Sequence, residues 1–183
     1  MITRRIYDQR IERFAALKEG RIDMGFGRLR HSDPGVNGTV LREERLAVAL
    51  PRGSALAAET GPLPLAALGG QRLIVYPKGP RPSFADYVLR LLRDADPGPV
   101  EVHEVREIQT ALGLVAAETG ICIIPCSAQQ MRSDVTGRRL ADPQAVSPVI
   151  LSHRASDSSA HLALVRRLLD DIYAEKPPWL EPD

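Results

Sequence analysis

Between residues 72 and 125 the chain repeats one pattern, a short apolar run followed by an amphipathic stretch. RLIVYP leads to SFADYVLRLLRDA, VEVHEV leads to QTALGLVAAETG, and ICIIP closes the series. Phe84, Val88, Leu91 and Leu92 recur at the spacing of one helix face, whereas VEVHEV alternates as a strand does. RLIVYP and ICIIP are apolar without alternation, as buried strands are. This alternation of strand and helix argues for a largely parallel or mixed sheet with helices packed on it, so the expected fold class is α/β.

The flanking segments extend the pattern. DQRIERFAALKEG reads as a helix with Asp8 at its N-cap and Gly20 as its stop, and the strand IDMGF follows at once. After the loop HSDPGVNG come the extended run TVLREE and the strand RLAVALP, ending at Pro51. PLPLAAL suggests a short helix, Gly120 the stop of QTALGLVAAETG, VSPVILSHR the last strand, and residues 158–174 a final amphipathic helix. Pro177 and Pro178 prevent its continuation. Residues 45–147 hold enough elements for a lobe of their own. Residues 1–44 and 148–183 would then form a second lobe, and a double crossover of this kind makes a cleft, a common ligand site.

Composition excludes several functions. The chain has 183 residues and carries 24 basic against 23 acidic side chains, so it lacks the basic footprint needed to grip nucleic acid by itself. It has no apolar run of about 18 residues for a bilayer span. MITRRIYDQRIERF is charged and has no apolar core of a secretory signal, so a cytoplasmic location is expected. Cys122 and Cys126 look like small core fillers, and His31, His103, His153 and His161 are scattered without ligand spacing. No metal or cofactor is expected. The chain has no G-x-S-x-G elbow, no H-E-x-x-H and no kinase set, so no catalytic residues are assigned.

Three short stretches are candidates for binding. GFGRL, residues 25–29, is not a dinucleotide fingerprint, because the third glycine is replaced by Arg30. Nor is it a Walker loop, since Gly20 and Gly25 have the gap but Phe26 and Gly27 follow. The glycines are expected to let backbone pass close to something at a strand end, where Arg28 stands. Its guanidinium is either a bidentate receptor for a carboxylate or one half of an ion pair with Asp33 or Glu43. GPRPSFAD opens a helix at Ser83 with Asp86 three residues on, which is either plain capping or an anion seat. In LREER, Arg42 and Glu44 share one face of an extended strand, where Glu44 either holds Arg42 and Arg28 in place or belongs to a solvated charge cluster at a lobe boundary.

Taken in order, GRIDMGFGRLRHSDP, LREERLAVALP, VREIQTALGLVAAETGICIIP and IYAEKPPWLE resemble the effector-binding domain of LysR-type transcriptional regulators. The likeness runs from about Phe14 to the end. GFGRL, VYPKGPRPSF and PPWLE look like the branch that senses benzoate and cis,cis-muconate in aromatic-compound catabolism. The resemblance implies two Rossmann-like lobes of the type-2 periplasmic-binding-protein fold, an inducer between them, and homo-oligomers of the intact regulator. Arg28 matches the arginine that meets an inducer carboxylate, and Pro82, Ser83 and Phe84 match the opposing wall. Leu41, Arg42, Glu44 and Tyr173 match a second, aromatic-acid site.

The chain departs from the family in lacking a winged helix-turn-helix, so DNA would be contacted only through a domain absent from it. The first strand and helix of lobe I are also expected to be missing, as is the T-T-x-x-Q lead, where Arg10 stands near the usual threonine. The function implied is inducer sensing without chemistry. A solute-binding protein of the same fold and a small α/β enzyme acting on a carboxylated metabolite are the alternatives.

Overall fold

A computed structural model describes residues 10–30, 33–79, 81–175 and 177. In chain order the first elements are helix α1 (Arg10–Lys18), strands β1 (Met24–Gly27) and β2 (Val36–Pro51), helix α2 (Ala55–Ala58) and strand β3 (Arg72–Val75). Helix α3 (Phe84–Ala95), strand β4 (Glu101–Glu104), helix α4 (Ile108–Ala116) and strands β5 (Ile121–Pro125) and β6 (Val135–Arg139) follow. Strand β7 (Val146–Arg154) and helix α5 (Ala160–Ala174) complete the set, with short 3-10 turns at Leu65–Leu68 and Cys126–Met131. The expected cap Asp8 and the loop residue His31 lie outside the described residues. The chain forms two compact units, Glu43–Ser147 and the remainder, and passes between them within β2 and within β7.

In the unit Glu43–Ser147 the strand order is β6, β2, β5, β3, β4. β3 runs parallel to both β4 and β5, while β2 is antiparallel to β5 and to β6, so the sheet is mixed. The alternation of each strand divides its side chains between two cores. Leu46, Val48, Leu50, Leu73, Ile121 and Ile123 meet the α3 stripe of Val88, Leu91 and Leu92. Ala47, Ala49, Ile74, Cys122 and Ile124 meet Ala111, Leu112 and Val115 of α4. Burying each large α3 side chain contributes about 1.5–3 kcal/mol.

Three expectations need correction. TVLREE and RLAVALP form one strand of 16 residues, because nothing in LREER breaks an extended backbone. What changes along it is burial, from mostly exposed before Arg42 to fully buried from Leu46 to Leu50. VTGRR was not expected as a strand, since it lacks apolar alternation; β6 forms because β2 offers it a pairing edge from Ala47 to Pro51. α4 does not run to Gly120. It ends at Ala116 with Ala117 as its C-cap, and Glu118 adopts the left-handed conformation at φ 58°. Gly120 instead lets two backbones approach, because a Cβ there would stand 2.4 Å from the Arg72 carbonyl oxygen.

In the other unit β1 pairs antiparallel with β7, from Met24 opposite His153 to Gly27 opposite Ile150, and β7 also borders β2. Phe14, Ala16 and Leu17 of α1 pack with Ile22. α1 stops at Gly20 as expected: this residue takes φ 69°, and the Arg21 N–H returns to the Ala16 carbonyl at 2.8 Å. Arg154 then donates to the carbonyls of Leu17 at 3.1 Å, in the last turn of α1, and of Ile22 at 2.7 Å, in the segment that follows it. α5 buries only Leu162, and its Arg166 reaches Thr39 at 2.8 Å and His153 at 3.3 Å.

Gly120→Ala is expected to destabilise the protein by about 1–3 kcal/mol through overpacking. Gly113→Ala, inside α4 with nothing within 4 Å of the added carbon, is expected to stabilise it by up to about 1 kcal/mol. Urea denaturation of both variants checks the pair.

Candidate functional site

Arg28 follows directly on β1 and is half-buried. The two glycines before it make room for the Arg13 side chain. A Cβ on Gly25 would lie 2.5 Å from Arg13 Cδ, and one on Gly27 2.4 Å from Arg13 Nη2. Arg13 is 3% exposed and donates from Nη1 to the Phe26 carbonyl at 2.6 Å. The close approach read from GFGRL is therefore to an arginine of α1. Asp33, set out as a partner for Arg28, accepts from Lys18 Nζ at 2.9 Å and from the Gly35 N–H at 2.8 Å. Leu29 and Arg30 continue into a shallow concavity with Phe14, Val36 and Ile150.

The start of α3 is a complete capping box. The Ser83 side chain accepts from the Asp86 N–H, and the Asp86 carboxylate accepts from the Ser83 N–H at 2.6 Å. Ser83 is buried, and its hydroxyl also reaches the Pro77 carbonyl at 3.2 Å. Tyr87 bonds back to the Ser83 carbonyl, so the amides the box leaves over in the first turn are those of Phe84 and Ala85. These are the groups a helix start offers to an anion. Arg81 pairs with both Asp86 and Glu104 beside them. Pro82 is exposed, and the Phe84 ring is buried with its centroid 5.5 Å from that of Tyr76.

Burial would raise the Asp86 carboxyl, but bonds from the Ser83 N–H, from Arg81 and from the Ser83 hydroxyl outweigh it and hold the group below its ordinary value. The box satisfies plain capping and leaves two amides for an anion.

The residues of the second expected site are dispersed along the chain. Leu41 and Arg42 are partly buried on β2, and Tyr173 is partly buried near the end of α5. Glu44 is only 3% exposed, so it is not part of a solvated cluster. Its carboxylate accepts from the Ser127 N–H at 2.7 Å, at the start of the 3-10 turn after Pro125. Sequence reasoning missed Arg13, Arg81 and Ser127. For Arg13 a signal existed, because two glycines on one face of a strand imply something bulky lying over it. Among the described residues no three His, Cys, Asp or Glu side chains come together as a metal site would require. Cys122 and Cys126 are buried free thiols that burial pushes up.

The family described as LysR substrate binding domain matches residues 7–172, and the chain belongs to it. The fold is accordingly the α/β type-2 periplasmic-binding-protein class. The "Probable cat1 operon transcriptional activator" of Acinetobacter lwoffii is 58% identical over 171 residues, which are 93% of this chain and 56% of that protein. The transcriptional regulator BenM of Acinetobacter baylyi is 38% identical over 90% of this chain and 56% of its own length. Among solved structures, the effector binding domain of a BenM variant superposes with a TM-score of 0.85 at 36% identity, covering 92% of this chain and 79% of that one. The BenM effector binding domain with its effector benzoate gives 0.83 at 37% identity, over 96% and 82%. The chain spans about half the length of the curated relatives it matches. These relatives are transcriptional regulators and not enzymes.

Asp86→Asn is expected to lower the urea midpoint at pH 7. A carboxyl depressed in the folded state gives stability that is full above its unfolded value, about 3.9, and is lost as pH falls through the folded one. The deficit of the variant should therefore shrink in acid, which parallel denaturation curves at both pH values would show.

Proposed function

We propose that this chain is the effector-sensing part of a regulator of aromatic-compound catabolism, and that it binds a small acid of the cis,cis-muconate or benzoate type. The observation that carries this reading is the position of Arg28 at the exit of β1, in a chain 37% identical to a domain solved with benzoate. A guanidinium receives a carboxylate through two parallel hydrogen bonds. In the unit Glu43–Ser147, Pro82, Ser83 and Phe84 are the other candidate receptor, where the Phe84 and Ala85 amides of α3 suit a carboxylate or another polar edge of an acid. Leu41, Arg42 and Tyr173 serve a second aromatic-acid site. Glu44 contributes by fixing its strand through Ser127 rather than by touching the acid.

The domain performs no chemistry. The acid favours one conformational state by binding it more tightly than the other, and only that difference shifts the equilibrium. The regulator works in the cytoplasm as a homo-oligomer and meets DNA through a part outside the matched region. Support comes from the structure of full-length CbnR with its target DNA, in which the match covers 88% of this chain and 56% of that one. Among the described residues no helix is long and apolar enough to cross a membrane.

Saturating cis,cis-muconate is expected to raise the melting temperature, with about 2.7 kcal/mol of stabilisation at a hundredfold excess over Kd. Arg28→Met should abolish the shift while leaving the unliganded melt in place. Titration calorimetry on folded protein that detects neither this acid nor benzoate would sink the reading.

A further inference from the structure

β1 is short and half glycine, a poor support for a residue that must meet a ligand in one fixed position. Glycine costs a strand both packing and conformational entropy. What stiffens it is Arg13. This side chain is almost wholly buried, lies over the glycine face where Cβ atoms at positions 25 and 27 would collide with it, and bonds the Phe26 carbonyl at 2.6 Å. Its guanidinium also stands 5.3 Å from the ring of its neighbour Phe14, whose burial anchors that turn of α1. A buried arginine carries a large desolvation cost, and an aliphatic side chain would fill the same space without it. The planar fork adds a charge-assisted bond that fixes the backbone two residues before Arg28.

We propose that Arg13 is a positioning residue for the effector site, and that the glycine pair of GFGRL exists to seat it. It holds the exit of β1 so that Arg28 is preorganised for the carboxylate. This rests on the reading of Arg28 as the carboxylate receptor.

Arg13→Gln removes the charged fork, and Arg13→Lys keeps a cation but not the planar geometry. Kd values for cis,cis-muconate and benzoate are measured by calorimetry beside the unliganded melting temperature. Arg13→Gln should weaken both acids on the order of tenfold, the worth of one charge-assisted bond, with Arg13→Lys between it and the parent.

Gly27→Ala alone should weaken binding, because its methyl displaces the guanidinium. In an Arg13→Ala background the same change should add nothing. Arg13 variants that melt lower yet keep the parent Kd would show a merely structural role and overturn the proposal, as would equal effects of Gly27→Ala in both backgrounds. If the parent binds and Arg28→Met does not, these results judge Arg13 alone. If the folded parent binds neither acid, both readings fall. Should Arg13→Gln fail to fold, the Arg13→Lys and Gly27→Ala measurements decide the question.

Discussion

The larger unit depends on the backbone pairing of β5, which is antiparallel to β2 on one side and parallel to β3 on the other. Its five residues, Ile121–Pro125, are all buried, with Ile121 and Ile123 in one core and Cys122 and Ile124 in the other. A strand covered on both faces must be apolar throughout, and its polar backbone must be paired along both edges. The contact of Gly120 with the Arg72 carbonyl lies at the entrance to this pairing. From β3 and β5 the chain reaches the two helices, and the start of α3 is the cap that offers its spare amides.

Beyond the strand ladders, arginines do much of the tying. Arg138, buried at 7% exposure, donates to the carbonyls of Leu56 at 2.6 Å and Gly61 at 3.0 Å. Arg45 reaches the Leu140 carbonyl at 2.7 Å, Arg154 those of Leu17 and Ile22, and Arg13 that of Phe26. A guanidinium has five donors and no acceptor, so it can serve loop and helix-end carbonyls that no ladder satisfies. Arg138 and Arg154 pair with carboxylates as well, Glu59 for the first and Asp23 and Asp157 for the second, so one side chain ties backbone and acid together. This blurs the reading of any single arginine, because ligand receptor and structural brace use the same chemistry.

Local patterns foretold α1, α3, α5, β3, β5 and β7, each of which has a strong period or a distinct stop. They failed where a partner decides. β6 has no alternation and exists because β2 has an edge to fill, and α4 ends at Ala116, where the chain turns through a left-handed Glu118, while Gly120 lies against Arg72. At the site, Ser83 with Asp86 was legible as a capping pair, since both members lie within one turn. The glycines signalled a bulky neighbour but not that it is Arg13, which is 13 residues from Phe26 and meets it only when α1 packs on β1.

The α/β class, the family and most of the order of strands and helices were thus legible in sequence, because their periods and motifs are written in nearby residues, and Arg28 stood there as a candidate at a strand end. Tertiary structure decided what the glycines of GFGRL are for, that Glu44 is bound to the Ser127 amide, and which α3 amides the capping box leaves over. Those outcomes depend on contacts between distant segments, and neither periodicity nor motif spacing encodes the distance at which such segments meet.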